Sequence, residues 1–197
     1  KYNLDQQSVA AYWQQTLALA PSTDISWGAR LQRTKLSARD VYDPTAPGAF
    51  SAQPTPLDTT ETNHALHFGA EHRFSTAFAM FGRLARSFRT PNVDERIGVN
   101  AFPVDFKLKT QTSFDAEVGV RGRIGMLEYQ SSVYNMLLNN EILFIPFPPI
   151  GANVNLDPTR RYGVENAATL HLSEDLRLKG GLTYTRAVFR EGLYTGN

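Results

Sequence analysis

The sequence contains no cysteine. A disulfide framework, a thiolate metal site and a cysteine nucleophile are thereby excluded, and an oxidising compartment is permitted without being required. Charge of one sign is also lacking: 20 Lys and Arg stand against 19 Asp and Glu, interspersed along the chain. Binding a phosphate backbone needs basic residues concentrated in one place, so no nucleic-acid partner is expected. No apolar run approaches the roughly 18 residues of a transmembrane helix, and mean hydropathy is −0.33. These values leave a membrane open, because a spanning β-strand needs only about 9 to 11 residues of alternating character. No basic segment, apolar core and small-residue cleavage site stand at Lys1, so the chain is expected either to remain unexported or to lack the N-terminus of its precursor. Catalytic signatures are missing as well: there is no Gly-x-Ser-x-Gly elbow, no His-Glu-x-x-His helix and no phosphate-binding glycine loop. Asp115 and Glu117 share a strand face, which alone does not make a hydrolytic pair. No enzymatic activity and no resident cofactor are expected.

What the sequence does carry is a period of two. From His64 to Phe74, Leu66, Phe68, Ala70 and Phe74 alternate with His67, Gly69, Glu71 and Arg73. The clearest stripe is Phe114, Ala116, Val118, Val120, Gly122 and Ile124 against Asp115, Glu117, Gly119, Arg121 and Arg123. A helix would scatter those charges around its circumference, whereas a strand collects them on one side. Further stripes begin at Ile25, Val164 and Leu176, and less regular ones cover Val9 to Leu19, Ala77 to Phe88 and Leu127 to Leu143. About eight strands result.

The connections alternate in length. Short links fall at Pro21 to Asp24, Phe74 to Thr76, Ile124 to Met126 and Ser173 to Asp175; long ones run from Asp40 to Thr60, Arg89 to Thr110 and Phe144 to Arg161. Hairpins closed tightly at one end and looped at the other are the pattern of outer-membrane barrels, with short periplasmic turns and long extracellular loops. A sandwich shows the same alternation, with its apolar stripe against a core instead of lipid. Trp27, Phe74 and Phe78 beside the short turns fit an interfacial aromatic girdle.

Three segments carry a family resemblance. Gly82 to Glu95, Gly-Arg-Leu-Ala-Arg-Ser-Phe-Arg-Thr-Pro-Asn-Val-Asp-Glu, resembles a stretch of TonB-dependent outer-membrane receptors in which a strand runs into an extracellular loop. Leu108-Lys109-Thr110-Gln111-Thr112-Ser113, followed by Glu117-Val118-Gly119-Val120, is similar to that family's Leu-Lys-Pro-Glu-Thr-Ser and Glu-Val-Gly segment, with Thr110 and Gln111 in place of Pro-Glu. Arg161-Tyr162-Gly163-Val164-Glu165 resembles its Tyr-Gly-x-Glu strand start. The resemblance implies an all-β, antiparallel, up-and-down transmembrane barrel of about 22 strands closed by a plug. Residues 1–197 would be a partial barrel domain without plug or C-terminal strands, since no plug or partner-binding box precedes the strands and Tyr194 to Asn197 lack a terminal aromatic. It further implies a bacterial outer-membrane location, contact with outer-membrane lipid, and uptake of a scarce nutrient, a ferric siderophore or similar metal chelate. Energy would come from the TonB complex through the missing N-terminal region. An open section of wall leaves unpaired edges, so this piece by itself is expected to aggregate in water.

Candidate site residues follow from the stripes and loops. Arg30, Glu71, Arg73, Glu117, Arg121 and Glu165 would line the lumen, either contacting plug or substrate or forming a solvated wall of cross-strand ion pairs. Arg86 and Arg89 at a loop mouth would attract an anionic chelate or shape the turn. Phe144 and Phe147, in the apolar run Ile142 to Ile150, would grip ligand or pack against neighbouring loops. The four histidines, His64, His67, His72 and His171, form no expected metal site: His64 and His72 share a face but stand roughly 27 Å apart in a strand. Haem receptors carry a His in the loop after the Phe88-Arg89-Thr90-Pro91 motif, and none lies between Pro91 and Leu108. Two other readings stay open: a complete eight-stranded outer-membrane barrel with a structural or adhesive role, and a soluble β-sandwich binding module.

Overall fold

The computed structural model describes residues 2–41, 45, 55–96, 106–146 and 152–192. The strands are β1 (Tyr2–Ala20), β2 (Thr23–Asp40), β3 (Leu57–Arg73), β4 (Ala79–Arg89), β5 (Gln111–Ile124), β6 (Leu127–Asn139), β7 (Ile142–Ile145), β8 (Ala152–Asn155), β9 (Thr159–His171) and β10 (Arg177–Phe189), with one short 3-10 helix at Asp94–Arg96. Eight of them form a single antiparallel sheet in the order β1-β2-β3-β4-β5-β6-β9-β10, while β7 and β8 make a separate two-stranded ribbon. Short and long links alternate along the sheet as expected, although two of the long ones are shorter or more structured than the strand period implied. Gly125, at φ 58°, opens the tight β5–β6 turn in a backbone region that glycine enters without steric cost.

Two expectations needed adjustment. β1 starts at Tyr2 rather than Val9 and β3 at Leu57 rather than near His64. Their outer halves are mostly polar, with only Tyr2, Leu4 and Leu57 apolar, so they show no continuous apolar stripe, yet they pair residue for residue with the outer half of β2. The link after Leu143 is not structureless: Ile142 to Ile145 pair with Asn155 to Ala152. A four-residue ribbon closed across Pro-rich chain carries no periodic signal of its own.

Directly opposed residues of an antiparallel pair share a face, so the register sorts every side chain. One face carries Val9, Trp13, Leu31, Phe68, Val118 and Leu182, all exposed. The opposite face carries Thr34, Leu36, Ala38, Ala79, Ala85, Asp115, Ser132, Leu138 and Thr159, all buried. Burial confined to one side means that the sheet is concave toward its polar face and presents its apolar face outward. That is the reverse of a soluble sandwich, and no second large sheet covers the apolar face among the described residues.

The strands are also staggered. The hydrogen-bonded row Ala20–Thr23–His72–Met80–Val120–Ser131–Asn166–Leu182 leaves β1 at its last residue and reaches β10 well inside the strand. From β2 to β4 the apolar band follows the same slope. Its long-loop edge is Leu31 on β2, opposite Ala11; Leu66 on β3, opposite Ala29; and Leu84 on β4, opposite Phe68. A band level with a membrane but stepping along the register requires tilted strands, the geometry that barrel closure imposes. β1 and β10 are the two edges of the described sheet and do not pair with each other, so the closed eight-stranded barrel is not what these residues form.

Close strand approach depends on glycine at one point in particular. A Cβ at Gly163 would run into the backbone carbonyl of Tyr184 on β10. Gly163→Ala is therefore expected to destabilise the β9–β10 pair by about 1–3 kcal/mol, as overpacking does elsewhere, seen as a lowered denaturation midpoint of the folded barrel. An unchanged midpoint would show that the two strands separate freely.

Candidate functional site

The polar, concave face holds a ladder of alternating charges. Arg30, Glu71, Arg73, Glu117, Arg121 and Glu165 all fall on it by register. Near the short turns, Arg73 donates to Asp24 at 2.5 Å and to Glu71 at 3.2 Å, and Arg121 reaches Glu71 from β5. Arg121 also lies 5.8 Å from the Phe81 ring centroid. Arg83 and Glu117, directly opposed, approach to 3.4 Å. Arg30 donates to Gln32 at 2.7 Å. Glu165 sits opposite Thr183 and Ser132. The face is thus a wetted, nearly balanced wall that neither repels nor traps one sign of charge, with little stability drawn from any single exposed pair.

At the long-loop end, the conspicuous motif residues divide by face. Arg89 lies on the concave side, where it grips Glu95 at 2.7 to 2.8 Å through two of its nitrogens. Glu95 also accepts from the Asn92 backbone N at 3.0 Å, and Asn92 Oδ1 accepts from the Glu95 N at 2.8 Å. This reciprocal cap starts the 3-10 helix. Arg86, in contrast, lies on the apolar face opposite Leu66 and Phe114, and its guanidinium donates to the His64 carbonyl. The two arginines therefore do not converge on one anion. Phe144 is exposed on the β7–β8 ribbon, and Phe147 lies outside the described residues.

Arg96, Phe106 and Asn155, which organise this end, lie outside the motifs, whereas Leu108, Lys109 and Thr110, to which they and β3 are tied, belong to one of them. Arg96 is buried and donates to the carbonyls of Phe106 at 2.6 Å and Leu108 at 2.9 Å. Phe106, almost fully buried, meets Tyr2 edge-on at 6.1 Å and packs with Ala38, Leu4 and Leu57. Thr110 donates to Glu61 on β3 at 2.6 Å. Asn155 bonds reciprocally with the Lys109 backbone, at 2.7 and 3.1 Å, and donates to the Asn140 carbonyl at 2.9 Å. The long polar extensions of β1 to β3 thus serve as a post to which the β4–β5 link is tied. The Asn92 and Glu95 spacing is a capping signal legible in sequence; the burial of Arg96 is not.

A staggered sheet with exposed apolar residues on one face, an ion-paired polar concavity on the other and loops folded at one end is the wall of a transmembrane β-barrel. The profile of the "TonB dependent receptor-like, beta-barrel" family matches residues 1–197, and the chain belongs to that family of outer-membrane transporters, which are not enzymes. No curated protein matches it in sequence. Similar solved structures include the copper transporter OprC (17% identity, TM-score 0.75, covering 94% of this chain and 29% of that one). The ferric-catecholate import receptor Fiu from E. coli K12 is 18% identical, with TM-score 0.68 and coverage of 97% and 29%. The ferric yersiniabactin uptake receptor FyuA from Yersinia pestis is 16% identical, with TM-score 0.67 and coverage of 95% and 28%. The chain spans less than a third of the length of these structures.

Proposed function

We propose that the chain is a section of barrel wall in a bacterial outer-membrane receptor that imports a ferric siderophore or similar metal chelate, driven through the TonB complex. The observation that carries this reading is the division of the staggered sheet into an outward apolar face and an ion-paired polar concavity. In this reading Arg30, Glu71, Arg73, Glu117, Arg121 and Glu165 line the lumen, and β1 and β10 pair with further wall. Arg89 holds the mouth in shape, and Phe144 on the ribbon is the ligand-facing aromatic. A balanced charge ladder suits a passage for bulky complexes, since it offers no deep electrostatic trap. Two of the three structural neighbours described above import ferric chelates, which favours iron over copper.

The test is uptake in the parent bacterium. Deleting the complete reading frame that contains this chain is expected to abolish accumulation of radiolabelled iron from at least one catecholate, phenolate or hydroxamate chelate under iron starvation, with the same loss when TonB is absent. Loss of copper accumulation alone would move the substrate to copper. Unchanged uptake of every chelate and of copper would overturn the reading.

A further inference from the structure

On the outer face Arg39, far out on β2, pairs with Asp58 at 2.7 Å, but the arginines that border the apolar band meet no carboxylate among the described residues. On the concave face, Arg73, Arg83, Arg121 and Arg161 each meet a carboxylate. On the apolar face, the first polar residue beyond the band at the long-loop edge is Arg33 on β2, Arg86 on β4, Arg160 on β9 and Arg186 on β10. At the short-turn edge of that face the strands carry no Lys or Arg, ending in residues such as Leu19, Ile25, Ile124 and Leu178. A basic rim on one edge only is not a by-product of alternation.

The rim is densest on β9 and β10. Arg160 is opposite Val188, so Arg186 and Arg190 are its two diagonal neighbours, about 7 Å away along the sheet. Arg190 continues the ladder, its backbone N donating to the Pro158 carbonyl at 2.8 Å. Arg160 donates to Asn135 at 2.5 Å and lies 4.9 Å from the Tyr162 ring centroid; Arg190 donates to Asn139 at 2.9 Å. These partners are neutral, so they orient the guanidiniums without cancelling their charge. The apolar-face positions of β6, β9 and β10 hold no Asp or Glu, and no ion pair joins any of the three arginines among the described residues.

We propose that Arg160, Arg186 and Arg190 bind the phosphates of an anionic lipid headgroup at the long-loop rim of the wall, a site that rests on the apolar face being the lipid-facing one. The planar fork of arginine matches phosphate oxygens in pairs, and three guanidiniums without a carboxylate partner among the described residues suit a headgroup with more than one phosphate. Lipid is favoured over a transported anion by position. The cluster borders exposed Tyr184 and Leu182, along which acyl chains would lie, and the sheet itself separates it from the concave face. Arginine stems spanning this border keep their heads at headgroup level.

The test uses the receptor expressed from its complete reading frame, stripped of native lipid in detergent and offered equimolar bisphosphorylated lipid A and phosphatidylcholine, with adducts read by native mass spectrometry. Lipid A is expected to be retained selectively and not displaced by millimolar inorganic phosphate. The triple variant R160Q/R186Q/R190Q should weaken retention on the order of a hundredfold, about fivefold per guanidinium, and the corresponding triple Lys variant should keep most of it. Equal retention of phosphatidylcholine, wild-type adducts on the triple Gln variant, or displacement by inorganic phosphate would each overturn the site. If the triple variant does not fold, R186Q, which removes a side chain without a hydrogen-bond partner among the described residues, is expected to show the fivefold loss alone. Flotation of the unaltered receptor with vesicles of either lipid reads the lipid-facing assignment separately, so its failure is distinguishable from failure of the rim.

Discussion

Val118→Arg is expected to cripple assembly of the barrel into lipid. Val118 lies in the middle of the β5 stripe from Phe114 to Ile124, on the apolar face, with its side chain about half exposed. An arginine there must either bury its charge in hydrocarbon or drag the strand toward the interface. In membrane barrels that substitution costs about 2–4 kcal/mol at midplane depth and falls toward zero near the edges. The comparison is Thr183→Arg, one residue from the apolar Leu182 on β10 but on the concave face, directly opposite Glu165. There a new guanidinium meets water and a carboxylate, and the expected change in stability is within about 1 kcal/mol. The measurement is the folded fraction recovered in lipid vesicles across a denaturant series. Equal behaviour of the two variants would sink the assignment of the faces, because it rests on the period of two and the register alone.

The second large effect is expected at Arg96→Ala, far from any strand stripe. Removing the side chain strips the Phe106 and Leu108 carbonyls of charged donors in a buried setting. Hydrogen bonds to charged groups are worth about 1.5–3 kcal/mol each, and an unsatisfied buried carbonyl adds its own desolvation cost. A local loss of at least about 3 kcal/mol follows. Because Phe106 anchors to Tyr2, Leu4, Leu57 and Ala38, the loss should appear as faster hydrogen exchange across residues 106–110 and in the outer halves of β1 and β3, while the centre of the sheet stays protected. Arg96→Lys should recover less than half, since a point ammonium does not reproduce the fork. Exchange unchanged by Arg96→Ala would mean that the β4–β5 link is held by something other than this residue.

Legibility in the sequence followed the physics of each element. The stripe at Phe114 to Ile124 was readable because one face meets an apolar medium along its whole length, which forces strict alternation. Tyr2 to Ser8 was not, because both of its faces meet water or other chain and nothing forces a pattern there; only pairing with Thr34 to Asp40 makes it a strand. Arg89 was conspicuous as part of a motif, but its partner Glu95 and its role as a clamp came from the structure. Arg86, three residues earlier, looked equivalent in sequence and is on the other side of the sheet, since an odd separation in a strand reverses the face.

Cysteine, charge and hydropathy set limits on chemistry, and the period of two with alternating links determined an antiparallel sheet with an apolar and a polar face, hairpins short at one end and long at the other. Those are local properties, written wherever a side chain's surroundings repeat every second residue. Which face is concave, how far the strands are staggered, which arginines find carboxylates and which are left at the apolar rim were decided only by the tertiary structure. The reason is that these depend on register between strands distant in sequence, and a shift of one residue there exchanges the faces without altering any local pattern.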